Sequence, residues 1–135
     1  TMAGTGAGYD LSTTTFSPDG RVFQIEYAMK AVDNSGTCLG LVCKDGVLVA
    51  VEKFLLSKML VEKTNKRIFP VSRHAGMASA GLVTDARQIV QRARDEARVH
   101  TENFGEKIAP HVLAERTAGF VHLFTLYGSV RPFGS

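Results

Sequence analysis

Residues 16–51 read FSPDGRVFQIEYAMKAVDNSGTCLGLVCKDGVLVAV, and a change of period halfway through them decides the fold class. In the first half Val22, Ile25, Met29 and Val32 follow helical spacing, with Phe23 and Tyr27 one turn apart beside them. Ser17 suits an N-cap, Pro18 a first helical position and Asp19 the positive end of the dipole, so a helix is expected to open at Pro18. Asn34-Ser35-Gly36 stops it. Residues 37–43 and 47–51 are then short apolar runs around Lys44-Asp45-Gly46, and Asp-Gly is a strong hairpin signal. Val47–Val51 is apolar on both faces, which predicts a strand covered on both sides.

Working outward, further strands are expected near 67–71 and 75–80, the second built from the small residues Ala75, Gly76, Ala78, Ser79 and Ala80. The clearest helix runs from Thr84 to about Thr101. Leu82, Ala86, Ile89, Val90, Ala93 and Ala97 form its apolar stripe, opposite Arg87, Arg94, Asp95 and Arg98. Gly105 punctuates, and a last helix over about 110–124 is expected to bury Val112, Leu113, Phe120, Val121 and Phe124. One helix, a sheet of about four strands and two consecutive helices make an α+β pattern. A strand buried on both faces needs a second layer that 135 residues barely supply.

At 135 residues and 14.6 kDa the chain suits one domain. Its 44% hydrophobic and 21% charged content excludes wholesale disorder. No apolar run approaches the roughly 20 residues of a membrane helix and no secretory leader opens the chain, which predicts a soluble protein. Thr1 ahead of Met2 reads as an added residue before a natural start. Residues 1–15, with Gly4, Gly6, Ala7 and Gly8 before a hydroxyl cluster at 12–15, bury little and are expected to form a mobile tail ahead of a domain spanning 16–135.

The net charge of +3 is uneven: Glu52 to Arg73 holds six basic residues against two acidic ones, a local +4 that leaves −1 for the rest. Cys38 and Cys43, five positions apart in an expected strand, lie roughly 16 Å apart on opposite faces. That exceeds the about 7 Å a disulfide tolerates, so they are expected to be free, buried small hydrophobes in a reducing compartment.

Tyr9-Asp10 followed by Phe16 to Ala28 closely resembles the amino-terminal signature of α-type 20S proteasome subunits. The resemblance continues through Asp45-Gly46, Lys66-Arg67, Ala80-Gly81-Leu82, Asp85-Ala86-Arg87 and Arg131-Pro132-Phe133-Gly134. Phe23 to Val32, with Thr125-Leu126-Tyr127, narrows it to one subtype within the α ring. The implied fold is the Ntn-hydrolase-like αββα sandwich, present only as its amino-terminal part, because a family member continues beyond Arg131-Pro132-Phe133-Gly134 into further strands and helices.

The resemblance implies a non-catalytic structural and gating subunit of the outer ring. It would admit substrates and dock activators for ubiquitin-dependent protein degradation, in cytoplasm and nucleus, with no cofactor and no metal. The partners implied are other α subunits in a hetero-heptameric ring, β-ring subunits and activator complexes with carboxyl-terminal tails, and neither nucleic acid nor membrane. Tyr9, Asp10, Pro18 and Tyr27 match the family's gate cluster. Lys66, Arg67, Gly81 and Leu82 match its activator-tail pocket, with arginine where the family has lysine. Arg21, Gln24 and Glu26, on a helix lying across the sheet, are expected at the α–α interface.

Active relatives in this superfamily cut peptides with an amino-terminal threonine whose free amine acts as base. Here Ser35-Gly36-Thr37 stands where such subunits begin, but a helix precedes it, and Thr37 has no free amine. Glu52 occupies the place of the catalytic carboxylate, with Phe54 soon after in place of a basic group. Thr1 has an amine but sits in the glycine-rich tail. The alternatives are therefore an active amino-terminal threonine hydrolase and a polyanion-binding domain on the Glu52–Arg73 charge run. Gly4-Thr5-Gly6-Ala7-Gly8 lacks the strand and helix of a dinucleotide loop. His111, Glu115 and His122 have spacings that suit surface groups better than metal ligands.

Overall fold

The computed structural model describes residues 8–135. Residues 1–7, and with them Thr1 and most of the Gly4–Gly8 run, lie outside the described residues. The elements run α1 (Phe23–Asp33), β1 (Cys38–Val42), β2 (Val47–Val51), β3 (Ile68–Pro70), β4 (Gly76–Ala78), α2 (Val83–Phe104) and α3 (Pro110–Leu123). Each expected helix and strand is present, and the boundaries carry the corrections.

The first helix starts at Phe23 rather than at Pro18. The Ser17 N–H donates to the Arg21 carbonyl at 2.8 Å, and the Arg21 N–H donates back to the Ser17 hydroxyl at 3.0 Å. Gly20 sits at φ +77° and donates to the Ser17 carbonyl at 2.9 Å. Those bonds close Ser17–Gly20 into a turn of its own, and extended Val22 becomes the N-cap. Ser17 caps a turn instead of a helix.

The four strands form two separate antiparallel ladders rather than one sheet. In the first, Cys38 faces Val51 and Val42 faces Val47, closed by a Cys43 N–H donating to the Gly46 carbonyl at 2.7 Å. In the second, Ile68, Phe69 and Pro70 face Ala78, Met77 and Gly76. Residues 52–67 between them hold no strand, and Pro70 has no N–H to offer a further neighbour. β2 approaches the short strands without pairing to them.

The first ladder also corrects two expectations about burial. β2 is not covered on both faces: no residue of β1 or β2 is fully buried, and only Val49 and Val51, on one face of β2, are half-buried. Cys38 and Cys43 are free, as expected, but exposed. The packing that would hide them comes from no described element of this chain.

The core lies instead between α2, α3 and the second ladder. Ala93, Ala97, Ile108 and Leu113 form its centre, with Val71, Ala75, Met77 and Val112 packed against it. The small residues of the α2 stripe let α3 approach closely, as the stripe predicts; Leu82, the N-cap, is the member that stays exposed. Gly105 takes the left-handed conformation at φ +71° and donates to the Thr101 carbonyl, ending α2 as expected. On α3 only Leu113 and Thr117 are fully buried, while Val112, Phe120, Val121 and Phe124 are half-buried.

α1 meets the carboxyl-terminal segment, where a Cβ on Gly134 would come within 3.1 Å of a Val32 methyl. That segment is itself fixed by buried Pro132, by Phe133 stacked edge-on to Phe124 at 4.8 Å, and by the Ser135 hydroxyl donating to the Ala80 carbonyl. The Thr13 hydroxyl, buried, donates to the Tyr127 carbonyl at 2.9 Å and joins the entry segment to the same region. No helix among the described residues is long and apolar enough to cross a membrane.

Candidate functional site

Asp10 is held from two sides by the first turns of α1. The Tyr27 hydroxyl donates to the Asp10 carboxylate at 3.2 Å, and the Gln24 side-chain amide donates to the Asp10 main-chain carbonyl. Gln24 and Tyr27 are three positions apart, so one helix face reaches both acceptors. Loss of water around the hydroxyl, and then the hydrogen bond to Asp10, push the Tyr27 pKa upward. The phenol therefore stays a donor. Of the four expected gate residues, Asp10 and Tyr27 meet, whereas Tyr9 and Pro18 stay exposed, and the Tyr9 hydroxyl has no hydrogen bond among the described residues.

Arg21 and Glu26 flank this cluster. The Arg21 Nε donates to the Glu26 carboxylate at 2.7 Å, and its guanidinium stacks over the Phe23 ring at 4.7 Å. The hydrogen bond to Glu26 raises the Arg21 pKa, and the same bond lowers that of Glu26. Of the three expected interface residues, Gln24 thus serves the entry segment, and Arg21 and Glu26 serve each other. All three keep part of their surface accessible.

A second cluster gathers at the end of the second ladder. The Arg67 Nη1 donates to the Gly81 carbonyl at 2.6 Å, while the Arg67 Nε is buried without a hydrogen-bond partner. Gly81 lies at φ +79°, and a Cβ there would stand 3.0 Å from the Gly134 carbonyl oxygen. Its N–H takes the Ser35 hydroxyl as acceptor at 2.7 Å. Arg67 and Gly81 are brought together, Lys66 stays exposed beside them, and Leu82 is 53% exposed at the rim. A guanidinium with an exposed ammonium beside it favours an anionic acceptor. Ser35, legible beforehand only as a helix stop, is a residue that sequence reasoning missed.

Thr37 and Glu52 face each other at the open end of the first ladder. The Thr37 N–H donates to the Glu52 carboxylate at 3.1 Å, and the Glu52 N–H donates to the Thr37 carbonyl at 2.8 Å. Glu52 therefore stands beside the nitrogen that a threonine hydrolase would use as base, but here that nitrogen is a peptide amide with no lone pair to take a proton. Nor does a Gly36 replacement fit, since a Cβ there would come within 2.5 Å of the Glu52 carbonyl oxygen.

Of the basic run from Glu52 to Arg73, Lys53, Lys58 and Lys63 line one shallow cavity together with Glu62, whereas Arg67 and Arg73 lie elsewhere. The lysines of the run are spread along an irregular, exposed stretch shared with Phe54, Leu55, Leu56 and Met59. His111, Glu115 and His122 are all exposed on α3, and no metal-ligating group of three or more exists among the described residues. A further ion pair joins Arg131 to Asp85, two positions that nothing in the sequence connects.

The family model described as proteasome subunit matches residues 32–135, and the model of the N-terminal signature of A-type proteasome subunits matches residues 9–31. Similar relatives include the alpha type-3 proteasome subunit of Acanthamoeba castellanii, 65% identical over 96% of this chain and 52% of the relative. The protein of the same name in Arabidopsis thaliana is 59% identical over 98% of this chain and 53% of the relative. The probable alpha type-7 proteasome subunit of Schizosaccharomyces pombe is 52% identical over 98% and 52%. The chain spans about half the length of the curated relatives it matches.

Proposed function

Since the chain belongs to the proteasome subunit family and carries the α-type amino-terminal signature, we propose that it is a non-catalytic structural and gating subunit of the 20S outer ring. Its place is the one named type-3, or seven in the other numbering, as the names of its relatives suggest. Its partners in this reading are the other α subunits of a seven-membered ring, the β ring beneath, and activators whose carboxyl-terminal tails enter between neighbours. The work served is ubiquitin-dependent protein degradation in cytoplasm and nucleus.

The observation that carries the reading is the grip of Gln24 and Tyr27 on Asp10. A gate needs an entry segment whose ordered state hangs on a few reversible contacts, and two hydrogen bonds at a helix start meet that need. The Arg67 cluster supports the docking half, because Lys66 stands exposed beside Arg67 with Leu82 at the rim, and cations there favour a terminal carboxylate. Thr37, whose nitrogen is an amide inside the chain, supports the non-catalytic half.

The test is co-expression of the full-length protein with the remaining ring subunits, followed by native mass spectrometry and fluorogenic-peptide hydrolysis. Seven-membered rings are expected, with no hydrolysis by the isolated protein. Particles carrying Tyr27→Phe are expected to lose much of their activator-stimulated hydrolysis while keeping their assembly. Unchanged stimulation in that variant overturns the gating role, and cleavage by the purified protein on its own overturns the non-catalytic one.

A further inference from the structure

We propose that the cavity between the β3–β4 turn and the second half of α2 docks an acidic segment of a partner protein. It encloses about 430 Å³ and shares no residue with the Asp10 or Arg67 clusters. Three separate stretches build it: the turn at 71–74, the α2 face from Arg94 to Glu102, and Lys107 on the way into α3.

The walls are fixed by hydrogen bonds rather than left to loose side chains. The Val71 and Ser72 N–H groups both donate to the Ala75 carbonyl at 3.0 Å. His74 donates from Nε2 to the Ile108 carbonyl at 2.8 Å, which leaves Nδ1 to accept from the Ser72 hydroxyl at 3.1 Å. Arg94 donates from Nε and Nη2 to the Pro70 carbonyl at 3.0 and 2.9 Å. This cavity is pre-formed.

Its charge is one-sided. Arg73, Arg94, Arg98 and Lys107 line it against a single carboxylate, Glu102, and that carboxylate is taken by Arg98 at 2.9 Å. Among the described residues Arg73, Arg94 and Lys107 form no ion pair. Three uncompensated cations round one hollow raise the local concentration of anions.

The lining also selects the kind of anion. Val71, Ala97 and Thr101 supply an aliphatic floor that suits the methylene stem of a glutamate. No Phe, Tyr or Trp lines the cavity, so the large stacking platforms that hold successive bases of a strand are missing. The volume admits one or two side chains and not a nucleic-acid strand. An acidic peptide is the occupant that fits.

The experiment measures fluorescence anisotropy of a fluorescein-labelled hexaglutamate peptide with the full-length protein at low salt. Binding is expected to weaken as salt rises and to fall about tenfold in Arg73→Glu/Lys107→Glu. The parallel variant Lys53→Glu/Lys58→Glu should keep its affinity. Arg73 is exposed and so is Lys107, and matching circular dichroism establishes that the fold is kept. Carbodiimide coupling of the unlabelled peptide to the unmodified chain should attach it at Lys107, a readout that needs no variant. Unchanged binding by the first variant, loss of binding in the second, or coupling confined to lysines 53–66 overturns the proposal. So does equal binding of hexaglutamine. Displacement from this cavity by an oligothymidylate at lower concentration than the peptide overturns it in favour of nucleic acid. Displacement by inorganic phosphate at equal concentration reduces the cavity to a simple anion site and overturns it too.

Discussion

Arg131 holds the carboxylate of Asp85 through two hydrogen bonds, Nη1 to Oδ2 at 2.9 Å and Nη2 to Oδ1 at 2.7 Å, across 46 positions of sequence. Asp85 stands in the first turn of α2, where the dipole also favours a negative charge, and Arg131 belongs to the terminal loop. The bond to Asp85 raises the Arg131 pKa. Water reaches most of the arginine, so Arg131→Ala should cost only about 0.5 kcal/mol in chemical denaturation. Its sharper effect is local. Limited proteolysis should cut the loop after Tyr127 several times faster in the variant, and an unchanged cleavage rate removes the pair as the anchor.

Ile108 is 1% exposed and closes the cluster formed by Ala93, Ala97 and Leu113. The backbone carbonyl of the same residue accepts the His74 ring, so the site cannot collapse freely. Ile108→Ala should therefore destabilise by about 2–5 kcal/mol, read as a shift in the urea midpoint with little change in slope.

Gly81 answers to two constraints at once, a left-handed φ of +79° and the Gly134 oxygen 3.0 Å from any Cβ. Gly81→Ala should cost about 1–2 kcal/mol from backbone strain alone. The companion substitution at Gly105, also left-handed but with open space around it, should show the strain without the collision. A smaller loss at Gly105 than at Gly81 is the expected order in thermal melts.

Gln24 touches the entry segment through one hydrogen bond to a main-chain oxygen. Gln24→Ala should speed hydrogen exchange at residues 10–14 several-fold while the amides of α2 keep their rates. Exchange that rises everywhere would point to general destabilisation instead.

Glu26 gives the pH response. Its hydrogen bond with Arg21 holds the carboxyl below the usual 4.5, so pairing favours the folded state above that value and is lost as pH falls through the lowered one. The Arg21 Nε–H resonance should therefore be sharp near neutrality and broaden only below pH 4.5. Both groups are exposed, and added salt should blur the transition without moving the fold's melting point.

Much of the architecture was legible because period and punctuation agree locally. The α2 stripe names its own buried face, and Gly105 and Asp45-Gly46 mark a helix end and a hairpin by backbone chemistry alone. The start of α1 was misplaced because Ser17-Pro18-Asp19-Gly20 is equally good as a helix opening and as a closed turn. The choice rests on the reciprocal bonds with Arg21, which no periodicity encodes. Burial at Cys38, Cys43 and β2 was misjudged for another reason: composition states that a strand wants cover, not who supplies it. In the candidate clusters, Asp10 and Tyr27 were legible by resemblance, whereas Ser35 at Gly81 and Arg131 at Asp85 depend on long-range packing.

The bare ribbon of β1 and β2 has a practical consequence. Val42 is 88% exposed and Val47 67%, at the hairpin end of a ladder whose outer backbone groups have no further strand beside them among the described residues. Such a ribbon is a template for edge-to-edge stacking, so solitary copies of this polypeptide will clump as their concentration rises. Because that attraction weakens on cooling, cold and dilute handling is the regime in which they stay dispersed.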